Sequence, residues 1–123
     1  MIRNRTGLMI IAVLAGLVLA LLSAGCYQPD ASTAAGRGKA LAVSYGCAAC
    51  HDMPNMPTAG LVGPPLRGIA RRAYLAGTFS NTPENMIRWI RSPRQLDPDT
   101  LMPELGVSQE DGRDLAAFLY TLP

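Results

Sequence analysis

The sequence predicts an all-α domain of three to four short helices joined by long loops. Three observations predict it. Apolar residues recur at helical spacing in two stretches, and no stretch alternates as a strand does. Two of the helices have clear start signals. Between them lie two loops of 18 and 13 residues, rich in proline and glycine.

The first helix is expected over residues 36–46, where Ala40, Leu41, Val43 and Tyr45 supply the apolar side. Residues 51–68 hold four prolines (Pro54, Pro57, Pro64, Pro65) and three glycines (Gly60, Gly63, Gly68), which excludes regular structure. Residues 69–76 are expected to form a short helix. Thr82-Pro83-Glu84 then starts a firmer one. Thr82 can cap, proline suits the first turn, and the acid favours the positive helix end. Met86, Trp89 and Ile90 share a face there, and Pro93 ends the helix. Residues 94–106 form the second loop, with Pro98 and Pro103. Ser108-Gln109-Glu110-Asp111 resembles a capping box, and Leu115, Phe118, Leu119 and Leu122 follow the i, i+3, i+4, i+7 pattern. Loops this long are unusual in so small a domain unless something organises them.

Composition bounds the alternatives. The chain has 123 residues, 49% of them hydrophobic, 6% aromatic, with three cysteines and one histidine. Such a length allows one domain and excludes a separate cofactor-binding fold. A formal charge of +2, with no basic run, does not suggest nucleic acid. The odd cysteine count leaves at least one thiol outside any intramolecular disulfide.

Residues 1–25 differ from the rest. Arg3 and Arg5 precede an uncharged stretch whose core, Leu8 to Leu22, is almost wholly aliphatic and glycine. A basic end, an apolar run and a small-residue exit describe an export signal. The exit Ser23-Ala24-Gly25-Cys26 resembles a bacterial lipoprotein signal, in which Cys26 becomes the lipidated first residue. An uncleaved anchor is the alternative, since about 19 residues at 1.5 Å each span roughly 28 Å; a fully released protein is a third. All three place the domain outside the cytoplasm, on the periplasmic side. Residues 26–35 read as a tether reaching at most ~35 Å, and residues 36–123 as the working domain. Without the signal, basic residues fall from 11 to 9 and match the nine acids, so the mature chain is neutral.

Cys47-Ala48-Ala49-Cys50-His51 supplies the organising element. The C-x-x-C-H spacing reads as c-type haem attachment. Two thiols one helical turn apart can each add to one vinyl group of a haem edge, and the adjacent His51 then lies under the iron. Rival readings are weaker. A thioredoxin-like pair expects a βαβ context. A structural zinc site needs four ligands, and the third thiol lies in the signal exit. A plain disulfide leaves His51 unexplained. Haem also supplies the apolar core that an aromatic-poor domain lacks.

The sixth iron position narrows by elimination. One histidine excludes bis-histidine ligation within the chain. Lys39 lies before the motif. Met53 and Met56 follow His51 too closely to reach the opposite face, and Met86 belongs to a core-facing helix side. Met102, followed by Pro103 in the second loop, is the expected ligand; packing alone is its alternative role. A His51/Met102 pair raises the reduction potential and leaves no open position for oxygen or peroxide.

From Gly38 to Leu122 the chain resembles the class I c-type cytochromes. The residues that carry the resemblance are Cys47-x-x-Cys50-His51, Gly63-Pro64-x-Leu66-x-Gly68, Met102-Pro103 and Asp114-Leu115-Ala116-Ala117-Phe118-Leu119. Residues 81–90 look like the cytochrome c domain fused to subunit II of some haem–copper oxidases. The resemblance implies a class I cytochrome c fold around one covalently bound haem c. It also implies that the Pro64 carbonyl accepts a hydrogen bond from His51 Nδ1, that Leu66 belongs to the haem site, and that Arg72 and the Trp89 indole lie near the propionates. A solvated arginine and a core tryptophan are the alternatives. Gly38 would let the first helix cross the last near Phe118. One departure is Ala42, where the family often has an aromatic residue, with Tyr45 as the candidate replacement.

The function this implies is a membrane-tethered, non-enzymatic carrier of single electrons in a respiratory chain. Its donor would be a quinol-oxidising complex or dehydrogenase, and its acceptor a terminal oxidase or reductase. A fixed electron-entry subunit is the alternative; an open-site haem sensor or peroxidase is a third class. Charge is polarised along the chain. Residues 37–72 carry +4 and residues 97–114 carry −5. Asp97, Asp99 and Glu104 flank Met102 and would form an acidic rim for a basic partner, or simply a solvated loop.

Overall fold

The structure, a computed structural model, describes residues 30–56 and 60–123. The segment read as an export signal, and Cys26 with it, lies outside the described residues. Helix α1 spans Ala34–Ser44, α2 Pro83–Arg91, α3 Pro93–Leu96 and α4 Gln109–Leu119. Single 3₁₀ turns occupy Cys47–Ala49 and Ile69–Arg71, and two short strands, β1 (Tyr74–Leu75) and β2 (Phe79–Ser80), form a hairpin. No helix among the described residues is long and apolar enough to cross a membrane.

Each long helix starts on a side-chain cap. Thr33 Oγ1 accepts from the Gly36 N–H at 3.0 Å, Thr82 from Asn85 at 3.2 Å, and Ser108 from Asp111 at 3.0 Å. Each cap satisfies one of the orphan donors of a first turn. Because Thr33 is the cap, α1 begins two residues before the expected Gly36.

Helices α1 and α4 form the frame, and Gly38 sets their separation. A Cβ added at Gly38 would stand 1.9 Å from the Asp114 carbonyl oxygen and 2.8 Å from Phe118 Cβ. Only a glycine lets the two backbones approach this closely. Ala42, fully buried, continues the contact without an aromatic ring. Tyr45 takes up the remaining space and its hydroxyl donates to Asp111 Oδ2 at 2.7 Å. Arg37 closes the other end, donating through Nε and Nη2 to the two oxygens of Asp114 at 2.6 and 2.8 Å. Asp114 is buried, so this fork replaces the water that the carboxylate lost.

Helix α2 packs its Met86 and Ile90 into the same core, which Leu115, Phe118, Leu119 and Leu122 fill from the C-terminal side. Gly112 on α4 accepts the side chains of Ile87 and Arg91 at 3.2 Å from where its Cβ would be.

Three local expectations are corrected. Residues 69–76 do not form a helix: the 3₁₀ turn ends at Arg72, whose backbone is extended (ψ 138°), and the chain enters β1. The absence of strands also fails, because strands of two residues are too short to show alternation. Their turn places Ala76 and Gly77 at φ 47° and 77°, the left-handed pair that a tight hairpin needs. The second loop, expected from residue 94, contains the helical turn α3. Pro93 ends α2 and serves as first residue of α3, because Ser92 leaves helical geometry (φ −143°, ψ 62°).

Hydrogen bonding to Asp111 holds Tyr45 above the ordinary phenol value of 10.0, and burial, with a smaller contribution from Glu84, does the same for Tyr120. Both protons are therefore held more tightly in the folded chain. The stability they contribute is complete below about pH 10 and is lost as pH rises through the folded values. Thermal unfolding midpoints should fall as pH rises above about 10. In Tyr45→Phe the fall should be shallower, with the remainder owed to Tyr120. An equal pH slope in the variant would contradict this account.

Candidate functional site

Gly46 starts the site. Its left-handed backbone (φ 70°) ends the run of α1 and turns the chain into the 3₁₀ turn that carries Cys47. The His51 N–H donates to the Cys47 carbonyl at 3.0 Å, which closes the C-x-x-C-H segment into one tight turn. Both thiols are half-buried and neither is in a disulfide. Burial pushes the Cys47 thiol up from its ordinary value. That is the opposite of what an attacking redox thiolate needs. Among the described residues, no group of three or more His, Cys, Asp or Glu converges as a metal site. The thioredoxin-like and zinc readings therefore gain nothing from the geometry.

The loop after His51 folds back over the turn. Gly63 N–H donates to the Cys50 carbonyl and Leu66 N–H to the Asp52 carbonyl, both at 2.8 Å. Two glycines permit the approach. A Cβ at Gly60 would fall 2.3 Å from the Cys50 carbonyl carbon, and one at Gly63 would fall 2.4 Å from His51 Cε1. His51 Nδ1 then lies 2.8 Å from the Pro64 carbonyl oxygen. A carbonyl only accepts, so Nδ1 carries the proton and donates. The other ring nitrogen, Nε2, is left with its lone pair and can bind a metal.

Leu66 is half-buried and packs against the core. Arg72 turns its guanidinium onto the backbone, with Nη2 donating to the Pro65 carbonyl and, at 3.4 Å, to the Arg67 carbonyl. Trp89 is half-buried on α2, its ring 6.2 Å from that of Phe79. Met102 is half-buried in the second loop, its N–H donating to Thr100 Oγ1 at 3.2 Å. Met53 and Met86 are buried in the core, and Met56 packs against it. Of the methionines among the described residues, Met102 alone lies outside that cluster. Beside these residues the structure leaves apolar side chains in the open: Leu61 is 91% exposed, Leu101 82%.

These residues fit a haem. The donor set is an imidazole with an oriented Nδ1–H, two unpaired thiols on one turn, and a spare thioether. The chain is pared to glycine where it passes the imidazole.

Sequence reasoning missed several contributors. Gly60 reads in the sequence only as a loop former, although it passes against Cys50. Asn81 and Tyr120 carry no motif of their own, yet they hold the loop that carries Arg72. Arg37 and Asp114 were read as parts of a charge pattern and a family motif, not as a pair. No local signal marks such long-range partners.

Comparison with known proteins agrees with this geometry. A family model described as cytochrome c matches residues 35–123. Over 102 residues the chain is 32% identical to cytochrome c oxidase subunit 2 of Alkalihalophilus pseudofirmus. That alignment covers 82% of this chain and 29% of the relative, so the chain spans under a third of that protein's length.

The approach of Gly63 to His51 predicts that Gly63→Ala destabilises the fold by about 1–3 kcal/mol, the usual range for overpacking. A denaturant titration reads this out. An unchanged midpoint would mean that the loop does not press on the ring as described.

Proposed function

The chain belongs to the cytochrome c family, as a class I c-type cytochrome and an electron-transfer haem protein, and from that premise we propose that it is a membrane-tethered carrier of single electrons in a respiratory chain. Haem c, when bound, supplies a one-electron couple between ferrous and ferric iron. Cys47 and Cys50 would hold it through two thioether bonds, and His51 Nε2 and the Met102 sulfur would hold its iron. Pro64 keeps the imidazole in the tautomer that presents Nε2. Leu66 packs the haem-side core, and Arg72 and Trp89 serve the propionates; the Nη2 contacts of Arg72 still leave it other donors for that role.

The observation that carries the reading is the His51 Nδ1–Pro64 contact at 2.8 Å. It fixes the tautomer before any metal binds and raises the basicity of the ring. Support for Met102 comes from the core positions of Met53 and Met86 and from its own half-buried place. With His51 and Met102 both holding the iron, electron transfer would be favoured over chemistry on oxygen or peroxide.

The remaining parts of the proposal rest on sequence pattern. Residues 1–25 export the chain, Cys26 carries lipid or the segment stays as an anchor, and the residues between Cys26 and α1 tether the domain to the periplasmic face of a bacterial membrane. A quinol-oxidising complex or dehydrogenase donates, and a terminal oxidase or reductase accepts. The exposure of Asp99 and Glu104, with Asp97 half-buried, supports an acidic rim beside Met102 for a basic partner. The relative's description as an oxidase subunit favours a second reading, a permanent electron-entry subunit. Mild detergent separates the two: a carrier leaves the membrane alone, and a subunit co-purifies at fixed stoichiometry.

Met102→Ala tests the ligand set. The oxidised wild-type protein should show a weak near-infrared sulfur-to-iron charge-transfer band, and the variant should lose it. Reduced wild-type protein should bind carbon monoxide slowly and the variant rapidly. Rapid binding by the wild type would favour an open-site sensor or peroxidase instead.

A further inference from the structure

One polar network runs from the end of α4 to the His51 loop, and its central residue belongs to neither. The Tyr120 hydroxyl donates to Asn81 Oδ1 at 2.7 Å. Asn81 Nδ2 donates to the carbonyls of Ile69 and Arg72, each at 2.8 Å. The Asn81 backbone N–H donates to the Ala73 carbonyl at 3.0 Å. Arg72, with its backbone so held, reaches the Pro65 carbonyl with its guanidinium. Pro65 is bonded to Pro64, whose carbonyl accepts from His51 Nδ1.

The amide orientation of Asn81 is forced by these partners. Two carbonyls can only accept, so they must face the NH₂; the Tyr120 hydroxyl then meets the amide oxygen. Every strong group of the side chain is used, and Asn81 is itself half-buried. Asparagine can satisfy all three contacts. Aspartate, almost the same shape, would turn an acceptor toward two acceptors.

We propose that Asn81, seated by Tyr120, is a positioning residue for the axial histidine: it fixes Arg72, and through the Pro65 carbonyl the placement of Pro64 against His51 Nδ1–H. The inference rests on the reading of His51 as an iron ligand. The strength of the Nδ1–H bond sets how basic the imidazole is, and so how far it stabilises ferric over ferrous iron. Loosening the network weakens that bond and moves the reduction potential upward.

The test uses the haem-loaded protein and three variants: Asn81→Asp, Tyr120→Phe and Tyr45→Phe. The last removes a hydroxyl hydrogen bond of the same length, 2.7 Å, but on the α1–α4 contact. Solvent exchange of the His51 Nδ1 proton, followed by NMR, should quicken about tenfold in Asn81→Asp, as for the loss of a hydrogen bond's net worth. Tyr120→Phe should quicken it less. The midpoint potential should rise in the same order. Tyr45→Phe should leave both at wild-type values. Unchanged exchange and potential in Asn81→Asp would overturn the proposal, as would an equal change in Tyr45→Phe. If Asn81→Asp does not accumulate, Tyr120→Phe decides by the same two readouts. A wild-type protein that loads haem but whose NMR spectrum shows no iron-bound His51 would instead overturn the ligand assignment itself.

Discussion

The hydrogen bond from His51 Nδ1 to the Pro64 carbonyl is the constraint on which the site depends. Its partners are 13 residues apart, so it forms only when the intervening loop folds back on the C-x-x-C-H turn. That return path explains the composition of the loop. Gly60 and Gly63 pass where no Cβ fits. Proline at 64 and 65 stiffens the segment that presents its carbonyls, at no cost in hydrogen bonding, because neither ring nitrogen has a proton to place. One hydrogen bond contributes only about 0.5–1.5 kcal/mol net. It cannot hold so long a loop by itself; the two backbone bonds to Cys50 and Asp52, and the network through Asn81, share the task.

The helical frame solves a separate problem. An aromatic-poor chain must still bring its first and last helices together. It does so by removing side chains and not by adding them. Gly38 and the buried Ala42 let α1 sit against α4. The Arg37–Asp114 fork and the Tyr45–Asp111 bond fix the register at the two ends of the crossing. Breaking such a pair on one side is costlier than its net worth, because Asp114 would stay buried without a partner. The frame thus gains specificity from polar ties while the apolar core stays small.

Much of this was legible in the chain, for local reasons. Thr82 and Ser108 announce helix starts because a cap is a contact between residues three apart. The C-x-x-C-H motif and the Gly63–Gly68 segment are legible because spacing alone encodes them. The contact of Gly38 with the last helix near Phe118 followed from family resemblance. Residues 69–76 misled because Ile69, Ala70 and Leu75 look helical, while the deciding partner, Asn81, lies beyond the segment. The hairpin was invisible because strands of two residues have no period. Pro93 was read as a stop and is also a start. The pairing of Arg37 with Asp114 spans 77 positions, and nothing in either neighbourhood encodes it.

The central claim is that one haem is covalently bound through Cys47 and Cys50 and organises the loops around His51. The most direct measurement is the intact mass of the protein, matured with its haem, after acid–acetone extraction. The account predicts a polypeptide heavier than its own chain by one haem, with that increment lost when both cysteines are replaced by alanine. Haem that extracts into acetone, leaving the bare polypeptide mass, would contradict it.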